Sequence, residues 1–169
     1  MPAVRRIGIC AATVVLLWLA TAGNAHALPR DARISFAGLG AVKLGMTERQ
    51  VETAAGRELA PAGRRSCATA QFAYRTFGLF SGNRLARIYV NSRRFATRRT
   101  GLRRGARTQR VLDAYGTRVR REPHAYSDGE YLEVAHGNRK LVFETNPSGK
   151  VISISTGRRP EIDYIEGCA

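Results

Sequence analysis

Two histidines, His124 and His136, flank a stretch that also carries Asp128, Glu130 and Glu133, with Glu122 just before it. Imidazole and carboxylate together can take a proton from one hydroxyl and return one to a leaving oxygen, so these residues could serve a small secreted nuclease as base and acid. Against this, His136 ends a predicted strand beside the Gly137-Asn138 turn and His124 follows Pro123 in a loop, and nothing places the two rings within reach of each other. The chain has no Gly-x-Ser-x-Gly elbow, no phosphate-loop motif and no His-Glu-x-x-His. Gly38-Leu39-Gly40 reads as a turn, because a dinucleotide fingerprint needs a third glycine and a long following helix. A protein with no catalytic residues and no cofactor is therefore expected, and two isolated cysteines fit no metal signature.

Charge gives the more specific signal. Lys and Arg total 28 against 13 Asp and Glu, a net charge of +15. Only Lys43, Lys140 and Lys150 are lysines; the other cations are arginine, whose planar fork pairs with phosphates and carboxylates through two parallel bonds. Between residues 84 and 121 there are 13 arginines and one acid, Asp113, whereas residues 122–169 hold eight acids and five cations. Arg93, Arg94, Arg98, Arg99, Arg103 and Arg104 come in pairs, and Arg107 and Arg110 extend the run. Such a surface suits an acidic protein or a cell-envelope polyanion, with nucleic acid bound only non-specifically and a membrane only peripherally. The bland alternative is a solvated cationic face without a ligand. No helix-turn-helix or aromatic RNA platform accompanies the arginines.

The first residues read as an export leader: Arg5 and Arg6, an apolar stretch over residues 7–22, then Ala25-His26-Ala27 as a small-x-small cleavage site. An uncleaved anchor is the alternative, but a span needs about 20 apolar residues and this run stops at Gly23-Asn24. Cleavage after Ala27, giving a secreted or periplasmic protein, removes Arg5, Arg6 and Cys10 and lowers the net charge to +13. Cys67 and Cys168 are left in an oxidising compartment. One disulfide between them would close a loop of about a hundred residues, worth up to about 4.7 kcal/mol in the chain-entropy model; free thiols or an intermolecular bridge are the alternatives.

The elements that must carry these residues begin with two matching stretches, KLGMTERQVETAAG at residues 43–56 and RRGARTQRVLDAYG at 103–116. Gly45, Val51 and Gly56 align with Gly105, Val111 and Gly116, and the spacing predicts a glycine turn, a two-turn helix and a glycine stop. Thr47 and Gln50 have capping-box spacing; in the second stretch Arg107 takes the place of Thr47, with Thr108 as an alternative cap. Alternating segments follow each helix: residues 71–80 and 85–91 around Ser81-Gly82-Asn83, then 131–136, 140–145 and 151–155. Coincidence is the alternative reading of the match, but the common order of helix and strands argues for duplication.

The run Leu44-Gly45-Met46-Thr47, with Val51 and Gly56 behind it, resembles the outer-membrane assembly lipoproteins of the SmpA/OmlA (BamE-like) type and the secreted β-lactamase inhibitor proteins. The resemblance implies an α+β fold of two tandem repeats, each a short helix followed by an antiparallel β-meander, sharing one sheet. It also implies a non-enzymatic protein that binds another protein with its exposed sheet face and hairpin loops or, as the second reading, a secreted inhibitor of a hydrolase. Gly45, Gly56, Gly105 and Gly116 carry over as fold residues. Leu28 stands where the lipoproteins have their acylated cysteine, and no inhibitory contact residue aligns. The expected organisation is a leader at 1–27, repeats at 28–96 and 97–157, and a tail at 158–169 tied back by the disulfide.

Overall fold

The computed structural model describes residues 28–64 and 66–168, so the leader expected at residues 1–27, with cleavage after Ala27, lies outside the described residues. Among the described residues there are twelve strands, two α-helices and two single-turn 3-10 helices. A small sheet joins β1 (Arg33–Ser35), β2 (Gly38–Leu39), β3 (Val42–Lys43) and β8 (Ala96–Thr97) in the order β3-β2-β1-β8, with β1 and β8 parallel. The large sheet contains β4 (Ala62–Arg64), β5 (Cys67–Ala73), β6 (Thr76–Ser81), β7 (Arg84–Val90), β9 (Val119–Pro123), β10 (Glu130–His136), β11 (Arg139–Thr145) and β12 (Val151–Arg158). Its order is β4-β5-β6-β7-β12-β11-β10-β9, antiparallel throughout.

This overturns the α+β expectation of two helix-and-meander repeats sharing one sheet. The chain is mostly β, and its strands form two sheets, of eight and four. Of the small sheet only the first strand is legible in the sequence, as a strand over residues 33–37; β2, β3 and β8, of two residues each, are too short to show alternation. It takes β8 from beyond β7 and pairs it with β1, so residues 96–97 complete a sheet begun at residue 33.

The glycine-bounded stretches do form the helices, α1 (Glu48–Ala55) and α2 (Thr108–Tyr115), but their ends differ. At α1 the Thr47 hydroxyl accepts from the Gln50 amide at 3.3 Å, the Gln50 side chain accepts from the Thr47 amide at 2.9 Å, and Gly56 stops the helix at φ 64°. At α2, Arg107 is the N-cap without a side-chain bond, and the Thr108 hydroxyl donates instead to the Gly149 carbonyl at 3.2 Å. Thr47→Ala should therefore lower the unfolding free energy by about 1 kcal/mol in urea titrations, whereas Arg107→Ala should change it by less than about 0.5 kcal/mol.

The core lies between one face of the large sheet and the layer of helices and small sheet. Val51 and Val111 from the helices and Ile34, Leu39 and Val42 from the small sheet join Phe72, Phe80, Ile88, Leu132, Phe143 and Ile154 in one buried cluster. Two bulges set the phase. Leu79 pairs with Arg87 but Phe80 with Leu85, so the extra residue, Ala86, lets Leu85 and Ile88 both face the core while Arg87 and Tyr89 face away. Similarly, Glu144 pairs with Ser153 but Thr145 with Val151, which brings both Val151 and Ile154 inward. Strict alternation, with Val151 and Ile154 on opposite sides, fails there because one extra residue inverts the face of everything beyond it.

Candidate binding surfaces

The run of arginines occupies the loops around β8 and the start of α2. Arg93, Arg94, Arg98, Arg99, Arg103, Arg107 and Arg110 are exposed and Arg104 is half-buried. The Arg103 guanidinium donates to the carbonyls of Arg93, at 3.2 Å, and Arg94, which clips the two loops together. Arg104 Nε donates to the Ile152 carbonyl at 2.8 Å and the Gly105 amide to that of Val151 at 2.7 Å, anchoring the segment on the large sheet. Arg98 and Arg99 project from a turn closed by the Gly101 amide on the Thr97 carbonyl at 3.0 Å. Among the described residues, none of these eight arginines has a carboxylate within 4.0 Å.

The other five arginines between residues 84 and 121 are not part of this edge. Arg84 donates to the Gly45 carbonyl at 3.1 Å, Arg118 lies 5.6 Å from the Tyr115 ring, and Arg120 and Arg121 pair with Glu122 at 2.5 Å and Glu130 at 2.6 Å. Arg87 is buried on the opposite side of the large sheet. The eight arginines named from the sequence, with Arg84 and Arg118, are therefore the ones of this run without a carboxylate partner or burial among the described residues.

The histidines expected of a nuclease are separated by the sheet. His136 has the same phase as Leu132 and Val134 and stands 5.1 Å from the Phe36 ring on the helix side. On the far face, His124 Nε2 is 2.9 Å from Glu144 and its ring stacks on Tyr131 at 4.7 Å. The acid and base set out from the sequence therefore do not meet at one bond.

His124 belongs instead to a cleft of about 510 Å³ on that far face, roofed by the C-terminal tail. Lys140, buried, donates to Glu133 at 2.7 Å and to Asp163 of the tail at 2.5 Å. Arg87 stacks over the Tyr89 ring at 4.2 Å and donates to the Tyr164 carbonyl at 2.7 Å, while its Nε is buried without a hydrogen-bond partner. Burial lowers the pKa of the Arg87 guanidinium and raises that of Tyr89, against which the Arg87 charge works. Burial also raises Tyr131, helped by the nearby Glu144 charge. Tyr126, exposed at the rim, donates its hydroxyl to Glu166, and that bond raises its pKa.

Sequence reasoning expected an exposed sheet face opposite the helices but named none of the residues of this cleft. The signal lay in the outward-facing positions of the strands, where Arg87 and Tyr89, Tyr131 and Glu133, and Lys140 and Glu144 replace the small polar residues of a solvated face. Their convergence depends on β7 pairing with β12 across more than sixty residues, which local pattern does not show.

A disulfide joins Cys67 in β5 to Cys168, with Cα atoms 5.4 Å apart across a separation of 101 residues. It ties the tail over the cleft and is compatible with a protein that works outside the reducing cytosol.

No family model matches the sequence, and no curated protein matches it. Among solved structures the chain is similar to an extracellular protein containing an SCP domain from Bacillus anthracis, with a TM-score of 0.49 and 5% identity over 69% of this chain. This chain spans 44% of that protein's length. It is also similar to a DUF4309 family protein from Bacillus subtilis, with a TM-score of 0.47 and 15% identity over 67% of this chain and 78% of the other.

Proposed function

We propose that this is an exported, disulfide-stapled, non-enzymatic binding module that engages a phosphate-bearing polyanion of the cell envelope through its arginine edge. The observation that carries the reading is that eight arginines follow one another along residues 93–110 with no carboxylate partner among the described residues, whereas Arg120 and Arg121 are paired, Arg118 lies by the Tyr115 ring, Arg87 is buried and Arg84 is held by the Gly45 carbonyl. Unpaired cations held close together repel one another, and a polyanion is the ligand that relieves the repulsion. Arg107 at the N-cap and Arg110 in the first turn of α2 also stand where a positive charge opposes the helix dipole and a bound anion offsets it. The fork of arginine favours phosphate oxygens over a diffuse negative surface.

Binding to long-chain polyphosphate should be strong at low salt. By analogy with duplex nucleic acid, four phosphate contacts imply a loss of about a hundredfold in affinity between about 50 and 200 mM salt. Polyglutamate, measured beside it, should bind more weakly; tighter binding to polyglutamate would identify an acidic protein as the partner instead. Affinity for polyphosphate that ignores salt would remove the reading.

A further inference from the structure

We propose that the tyrosine cleft on the far face of the large sheet is a second binding site, for a neutral glycan. Four of the six tyrosines of the chain line it: Tyr89 and Tyr131 inside, Tyr126 and Tyr164 at the mouth. Four large hydrophobic residues are prominently exposed among those described, and three of them, Tyr126, Tyr164 and Ile165, gather at this one cleft. Exposed apolar side chains scattered singly carry no message, but their concentration around a concavity marks a surface that something covers. A volume of about 510 Å³ suits a small ligand or a short length of a linear one.

The polar lining selects against a strongly charged occupant. Four cations and four carboxylates face the cleft, and each of those carboxylates already has a basic side chain within 4.0 Å. What the lining offers is a donor and an acceptor side by side, Lys140 with Glu133, and a further acceptor in Glu144; His124 is committed, its Nδ1 accepting from the Tyr126 amide at 3.0 Å and its Nε2 facing Glu144 at 2.9 Å. A hydroxyl, which donates one hydrogen bond and accepts two, can use both members of such a pair at once; a carboxylate or phosphate can use only the donors. The Arg87 side chain, with 8% exposure, adds an unused Nε–H for one further oxygen. Its charge is met by the Tyr89 face and the Tyr164 carbonyl, so a neutral acceptor completes it. Tyrosine rings at the mouth supply flat surfaces for the C–H faces of a sugar.

This site is separate from the arginine edge and responds differently to salt. Calorimetric titration of the intact protein with maltotetraose and with N-acetylchitotetraose distinguishes plain from N-acetylated sugars, and polygalacturonate serves as the acidic probe. Saturable binding of at least one neutral tetrasaccharide is expected, unchanged from low to high salt. Tyr126→Ala and Tyr164→Ala, both at exposed positions, should each weaken it about three- to tenfold, while Tyr74→Ala, exposed elsewhere, should leave it unchanged. No binding of either neutral sugar, binding of polygalacturonate alone, or wild-type affinity in both rim variants would overturn the proposal. None of these results bears on salt-dependent binding of polyphosphate.

Discussion

Reducing the Cys67–Cys168 disulfide, or replacing Cys168 by serine, should lower the unfolding free energy by about 3–5 kcal/mol and the Tm by on the order of 10–20 °C. The loop spans 101 residues, and a bond that closes a long loop restricts the unfolded chain most. In the native state the bond holds a tail with few anchors of its own: Ile162 is buried, Asp163 reaches Lys140, and the Tyr164 carbonyl accepts from Arg87. Opening the disulfide leaves the core intact, so the reduced protein should keep its far-ultraviolet circular dichroism at room temperature while proteases cut the tail near residues 164–168. Thermal scans with and without reductant are the check. A shift below about 2 °C would show that the disulfide contributes little to stability.

Lys140→Met should be the most damaging single change in the cleft, costing about 3 kcal/mol in denaturant titrations. The lysine side chain is 6% exposed and serves two carboxylates. Without it Glu133, at 17% side-chain exposure, becomes a largely buried charge with no counter-ion, which is the expensive outcome for a buried pair. Asp163 limits the damage, because it is 40% exposed and retains Arg159 at 3.3 Å. Adding Glu133→Gln to Lys140→Met should restore much of the loss, since removing both charges spares the desolvation cost that one alone incurs. Equal stability of the single and double variants would mean that Lys140 acts through packing of its stem rather than through its charge.

Local chemistry was legible where it is self-contained. The Thr47-Gln50 capping box, the glycine ends of both helices and the Gly82-Asn83 and Gly137-Asn138 turns depend on residues within a few positions of one another, and each stands where its residues place it. The Cys67–Cys168 bond was legible by counting, because one intramolecular pairing remains once Cys10 is assigned to an expected leader. Architecture was not. Residues 71–80 read as one alternating segment, yet the chain reverses at Tyr74 and Arg75, with Arg75 at φ 49°, a conformation that arginine gives no reason to expect. The pairing of β1 with β8 joins segments of two or three residues across sixty positions, and neither bulge announces itself with a glycine or proline. Since the β7 bulge decides that Arg87 and Tyr89 face the cleft, that part of the cleft was hidden with it. The eight arginines of the edge were named from the sequence; what the structure adds is that Arg120 and Arg121 pair with carboxylates and Arg87 is buried.

The central claim is that those eight arginines are a binding surface rather than a solvated face. Its most direct test is the affinity for long-chain polyphosphate of a variant with Arg98→Glu, Arg99→Glu, Arg107→Glu and Arg110→Glu. These positions are exposed and, unlike Arg103 and Arg104, donate no side-chain bond to the backbone among the described residues. The expected result is a loss of at least about a hundredfold with a flattened salt dependence and unchanged thermal stability. Wild-type affinity and an unaltered salt slope in that variant would contradict the account.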